Sequence, residues 1–286
     1  MKSLLLPFVC ALPLATSATL VGFNFTSING GGGQNGANGT FDDLSGFGTA
    51  GVGPYAQANW NHFEGDWGGE LENDTTHANL VDSTGAAVTH LAPHFGADRV
   101  KYDAATAYTS GIGNGSSNDT LMNGYLDDGG DNQPYAEFDL KYNGEAGAAG
   151  IASYTVVLYL HGDGPDSAIG RYWLEDFGGS VLTDQVGINS NDYTGSFLQA
   201  GGANFSQTLT PGNVDVANGN YLVFDNITAD TIRVRSAGNG DPEDFGRGPL
   251  NAVQLLAVVV PEPASGLLLF GGAALLGLMR KMRRRG

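Results

Sequence analysis

Apolar and polar positions alternate in short runs over most of this chain. Val21, Phe23 and Phe25 are each separated by a small or polar partner, the period of a half-buried strand. Leu80-Val81 and Val88 flank Asp82-Ser83-Thr84-Gly85, a hairpin signal in which glycine supplies positive φ. From Tyr135 to Leu140 the pattern sets Tyr135, Glu137 and Asp139 against Ala136, Phe138 and Leu140. Ser153 to His161 is rich in β-branched and aromatic residues and reads as a central strand. Arg171 to Leu174, Tyr221 to Phe224, Thr231 to Arg235 and Ala252 to Val259 complete the set, and no soluble segment shows a convincing helical period. Eight or more short strands joined by Gly, Asn and Asp turns predict an all-β fold, a two-sheet sandwich of the jelly-roll kind.

Two segments break the pattern. After Met1, Lys2 precedes an apolar stretch from Leu4 to Leu14 and the small residues Ala15-Thr16-Ser17-Ala18, the three zones of a secretory signal with cleavage expected after Ala18. Cys10, the single cysteine, lies within it, so the mature chain has neither disulfide nor thiol chemistry. At the other end stand Val260-Pro261-Glu262-Pro263, then Ala264 to Met279 without a charge, then Arg280, Lys281, Arg283, Arg284 and Arg285. As a helix the uncharged stretch is about 24 Å long, close to the ~30 Å of a bilayer core. The bases are then held on the cytoplasmic side, and everything before Pro261 lies outside the cytoplasm. A buried C-terminal helix is a poor alternative, because the clustered bases have no nearby carboxylate to pair with.

Signal peptide, Pro-Glu-Pro, short apolar span and arginine cluster together resemble the sorting signal of the PEP-CTERM proteins of Gram-negative bacteria, with Val260, Pro261, Glu262 and Pro263 as the motif and Arg280, Lys281, Arg283, Arg284 and Arg285 as the topology signal. The resemblance covers only the ends. It implies recognition by a membrane protease, exosortase, transient membrane anchoring, and delivery to the cell surface or the extracellular polysaccharide matrix. Leu250 to Leu255 resembles the last strand before the tail in β-sandwich members. The expected organisation is a signal peptide over 1–18, a jelly-roll or galactose-binding-like β-sandwich over 19–259, and the sorting signal over 260–286.

Charge narrows what the central domain can meet. Seven of the 13 bases and 29 of the 30 acids fall within 19–259, a formal charge of −22. Such a surface repels nucleic acid and anionic lipid, stays soluble in a matrix and attracts divalent cations. The 45 glycines carry no collagen period and mark tight turns; Asn29 to Thr40 is a low-complexity loop, with no Lys-Ser/Thr to make it a phosphate cradle.

Few residues carry candidate chemistry, and each has a plainer reading. Asp127, Asp128, Asp131 and Asn132 offer closely spaced oxygens on a Gly turn, suited to calcium, but without a Glu at the twelfth position a solvated acidic turn is the favoured account. Asp163 and Asp166 form a weaker second cluster. Trp60, Asn61 and Trp67, in the segment from Tyr55 to Trp67, could stack and hydrogen-bond a sugar; the plainer account is that the tryptophans plug the end of the sandwich. His90 and His94 have the spacing of helical zinc ligands, but Pro93 intervenes and no catalytic Glu follows. Nucleophile-elbow, Walker and Rossmann signatures are absent. Seven Asn-x-Ser/Thr sequons, at Asn24, Asn38, Asn73, Asn114, Asn118, Asn204 and Asn226, read as a record of polar turns. The expectation is a non-enzymatic structural or adhesive matrix protein. The alternatives are a carbohydrate-binding module, with or without calcium, and, behind it, a secreted glycoside-active enzyme.

Overall fold

The computed structural model describes residues 19–27, 49–65, 80–96, 99–102, 116–127, 135–141, 150–162, 169–189, 193–200, 217–238 and 248–259. The signal peptide 1–18, the glycine loop 29–40 and the sorting tail 260–286 lie outside them. Thirteen strands are formed among the described residues: β1 (Leu20–Ser27), β2 (Asn61–Gly65), β3 (Ala92–Gly96), β4 (Arg99–Tyr102), β5 (Gly124–Asp127), β6 (Tyr135–Asp139), β7 (Ile151–Tyr159), β8 (Ile169–Glu175), β9 (Val186–Asn189), β10 (Ala217–Asn218), β11 (Tyr221–Ile227), β12 (Thr231–Gly238) and β13 (Ala252–Val259). They build a five-stranded sheet, β11-β7-β13-β1-β2, a six-stranded sheet, β10-β9-β8-β12-β6-β3, and the β4-β5 ribbon. Pairing is antiparallel except for β1 with β2 and β9 with β10. The all-β expectation holds, as two sheets over one core.

That core follows from the alternation. Ala136, Phe138, Tyr172, Leu174, Ile232 and Val234 point inward from the six-stranded sheet, and Val21, Phe23, Phe25, Val156, Leu158, Val253 and Leu255 meet them from the five-stranded one. Phe23 and Phe138 touch across the gap, ring centroids 4.8 Å apart. At about 25 cal/mol per Å² of apolar surface removed from water, this layer is the main favourable contribution to folding.

The expectation of a half-buried first strand is corrected. Leu20 and Asn24, on the other face of β1, are buried as well. A second cluster lies on the outer face of the five-stranded sheet, where Val157, Tyr159 and Ala252 pack against Ala50, Trp60, Leu121, Met122 and Tyr193. Two-sided burial explains why β7 reads as a continuous apolar run. Gly22 makes the cover possible: a Cβ there would stand 2.2 Å from Gln57 Nε2 and 2.7 Å from the Trp60 ring.

The cover also contains a helix that the apolar pattern hides. α1, Ser117–Asn123, is capped by Ser116, whose hydroxyl oxygen accepts the Asp119 N–H at 3.2 Å, and it buries Leu121 and Met122. Seven residues are too short for a 3.6-residue stripe to stand out from strand-like noise. The Asp82 hairpin forms as expected: Val88 N–H donates to Leu80 O at 2.7 Å, and Gly85 turns the chain at φ +84°. Burial pulls the Asp82 carboxyl upward, but its bonds from the Thr84 hydroxyl and from the Ala86 and Thr84 N–H groups prevail and hold it below the usual range.

Candidate functional site

Trp60 is 2% exposed, its indole N–H donates to Gln57 O at 3.2 Å, and its ring meets Tyr159 edge-on at 6.0 Å. Asn61, also 2% exposed, spends its amide on Gly22 O and Val81 O and accepts the Val81 N–H. Neither is open to solvent, so for this pair the possible sugar platform gives way to the plainer account, a plug, here over the sheet where the glycine at position 22 leaves room. Trp67 lies outside the described residues.

Of the acidic loop, Asp127 ends β5 with its backbone paired to Arg99, while Asp128, Asp131 and Asn132 lie outside the described residues, as do Asp163 and Asp166. Among the described residues no three His, Cys, Asp or Glu side chains come together as a metal-ligand set. His90 is buried, which lowers its basicity, and Ala92–Gly96 is extended, so the helical spacing of His90 and His94 never arises. Of the sequon asparagines, Asn24 is buried and donates to Leu121 O at 3.1 Å, Asn118 accepts the Gly51 N–H at 2.9 Å, and Asn226 is exposed at a bulge in β11 with φ +60°.

Among the described residues, the outer face of the five-stranded sheet has a covered part and a more exposed part. Under the cover, long-range side-chain bonds pair many of the polar groups, although Gln57 Oε1 is buried with no hydrogen-bond partner among the described residues. Asn251 accepts the His161 N–H at 2.5 Å and donates to Met122 O and Gly124 O, both at 2.9 Å. Tyr159 donates its hydroxyl proton to Gln254 Oε1 at 2.5 Å and accepts the Val52 N–H, while Gln254 Nε2 donates to Tyr55 O at 2.8 Å. Such pairing is the rule where water is excluded.

Where the cover ends, a ledge forms. Alternation along β11 places Tyr221, Val223 and Asp225 on this face, beside Tyr159, Val157 and Thr155 of β7. Tyr55 and Tyr221 are half-buried and Asp225 is exposed. The Thr155 hydroxyl donates to Asp225 Oδ1 at 2.7 Å, and the Tyr221 hydroxyl donates to Gln199 Oε1 at 3.3 Å. Phe197 supports Tyr221 edge-on at 6.3 Å and leans on Tyr159 at 5.3 Å, which links the ledge to the buried Trp60 through a chain of rings. Burial, then the charge of Asp225 and the neighbouring Tyr221, push the Tyr55 phenol above its ordinary range; burial does the same to Tyr221. Both hydroxyls therefore keep their protons at physiological pH, available to donate and accept.

The outer face of the six-stranded sheet is built differently. Cross-strand register sets Arg233 opposite both Glu137 and Glu175. Its guanidinium pairs with Glu137 and reaches Glu175 at 3.9 Å, Arg235 reaches Glu175 at 3.9 Å, and the Trp173 indole donates to Glu175 Oε1 at 2.7 Å. Trp173 is only 7% exposed, so its ring face is not open.

The sequence reading singled out Trp60 in the segment from Tyr55 to Trp67; in the structure Trp60 is enclosed and Tyr55, half-buried, lies at the ledge. The usable signal was Tyr221-x-Val223-x-Asp225, an aromatic and a carboxylate at strand period. Comparison with family models, with curated proteins and with solved structures finds no match.

Proposed function

We propose that the chain is a secreted, surface-sorted protein of an extracellular polysaccharide matrix, structural or adhesive in role, whose tail is an exosortase substrate. The observation that carries this reading is the order of the last segment: Val260-Pro261-Glu262-Pro263, an uncharged stretch to Met279, then five bases. On this reading the tail is a membrane-spanning helix until it is processed, and the domain before it is a jelly-roll or galactose-binding-like sandwich. Supporting it, β13 ends at Val259, so the motif follows a strand held between β7 and β1. A charge of −22 within 19–259 and the absence of cysteine there suit a soluble, thiol-free exported domain.

The second reading, a carbohydrate-binding module, is favoured by the ledge, since half-exposed tyrosines beside a carboxylate are the groups that stack on and hydrogen-bond a sugar. Catalysis is not part of either reading.

Sorting is tested in a bacterium that carries an exosortase. The unaltered chain is expected in the surface and medium fractions, and a chain with Pro261, Glu262 and Pro263 all changed to Ala in the inner membrane. Equal distribution of the two would overturn the sorting reading.

A further inference from the structure

Taking the matrix reading as its premise, we propose that the ledge formed by Tyr55, Tyr221, Asp225, Thr155 and Gln199 is a binding site for an uncharged hexose polysaccharide, held by ring stacking and hydroxyl hydrogen bonds without a metal ion. Part of the ledge is held in place beforehand: Phe197 braces the Tyr221 ring edge-on, and the Tyr55 backbone is anchored through its carbonyl by Gln254 Nε2. A sugar laid there therefore orders fewer side chains, which is where affinity is otherwise lost.

The polar groups suit a polyol. Asp225 uses Oδ1 for the Thr155 hydroxyl, which orients the carboxylate and leaves Oδ2 to accept from a sugar hydroxyl. Gln199 takes the Tyr221 hydroxyl proton on Oε1, and its amide nitrogen can donate. Protonated phenols add groups that both donate and accept. The site thus alternates donors and acceptors around two ring faces, as a pyranose does around its edge.

Charge selects the class of polymer. None of the five strands β1, β2, β7, β11 and β13 contains a lysine or arginine. A uronate or sulfated chain would meet Asp225 in a domain of charge −22 with no base from that sheet to offset it, so an uncharged chain is preferred. On the six-stranded face the described groups are engaged otherwise: the guanidiniums of Arg233 and Arg235 lie against carboxylates and Trp173 is enclosed. A cavity of about 30 Å³ lined by Leu140, Tyr154, Ile227 and Ala229 has room for a water molecule, not a sugar ring.

The test uses the whole chain in mild detergent, titrated calorimetrically with gluco-, manno- and galacto-oligosaccharides and with oligogalacturonate, each with and without chelator. Saturable binding to a neutral oligosaccharide is expected, unchanged by chelator and absent for oligogalacturonate. Tyr221→Ala should weaken it about tenfold or more. Tyr221→Phe and Asp225→Asn should weaken it with an unchanged melting temperature, and Arg233→Met on the opposite face should leave it unaltered. Binding only to the acidic oligosaccharide, loss with chelator, indifference to all three ledge variants, or no binding by folded protein would each overturn the site. Sorting is read separately by fractionation, so a chain that reaches the surface but binds no sugar overturns this proposal and not its premise.

Discussion

The two outer faces of the sandwich solve the same problem in opposite ways. The six-stranded face meets water with an ionic ladder: Arg233, Arg235, Glu137 and Glu175 lie within ion-pair distance of one another across three strands, over Trp173. Three of the domain's seven bases, Arg171, Arg233 and Arg235, belong to its strands β8 and β12. The five-stranded face has no lysine or arginine on its strands and is instead covered in part by irregular chain, the 3-10 turn Gly53–Tyr55 and the short helix α1, which leaves the tyrosine ledge at the edge of the cover. An ion-paired surface is closed to ligands by its own pairing. A cover that stops part-way exposes braced rings beside hydrogen-bonding groups, the condition for recognising a neutral ligand.

Substitutions that open the cover should have the largest effect. Trp60→Ala removes a ring fully enclosed by Gln57, Gly22 and Tyr159 and is expected to cost about 3–5 kcal/mol in urea unfolding. A stable Trp60→Ala protein would return this residue to the surface and break the contrast between the faces. Asn251→Ala strands the His161 N–H and the Met122 and Gly124 carbonyls together, and about 3 kcal/mol should be lost.

Alkaline titration comes next. Burial raises the phenols of Tyr154, to about 12, and of Tyr159, Tyr172 and Tyr193. Above pH 10 the unfolded chain gives up these protons while the folded chain keeps them, so stability falls as pH rises. Tyr154 alone should contribute about 2 kcal/mol of loss by pH 12, followed by circular dichroism.

The ladder should matter least. With Arg233 and Glu137 side chains still 27% and 15% exposed, a double-mutant cycle of Arg233→Met and Glu137→Gln should give a coupling of about 1 kcal/mol that shrinks in high salt. A coupling as large as the Trp60 effect would show that the ionic face, not the covered one, holds the sandwich.

How much of this was legible differs between the sheets for the same reason. Strands facing core on one side and water on the other, such as β6 with Ala136 and Phe138 against Glu137 and Asp139, alternate visibly, so their inward faces could be read residue by residue. β7, buried on both sides, loses that alternation, whereas β1 keeps it because its second face carries Gly22 and Asn24 beneath the cover, and it was therefore read as half-buried. The cover was not legible, since 49–60 and 193–198 are held by pairings such as Gln254 with Tyr55 and Asn220 with Leu198, which join distant segments and leave no local period. Trp60 was ambiguous because its burial depends on the missing side chain of Gly22, a strand away. The tail was the reverse case: its order of residues speaks plainly in sequence, and it lies outside the described residues.

The most direct test of the proposed surface role is the intact mass of the protein recovered from the surface or matrix of a bacterium that carries an exosortase. The account predicts a chain that begins after Ala18 and has lost the segment from the Pro261-Glu262-Pro263 site through Gly286. A surface-recovered chain that still carries Arg280 to Arg285 would contradict it.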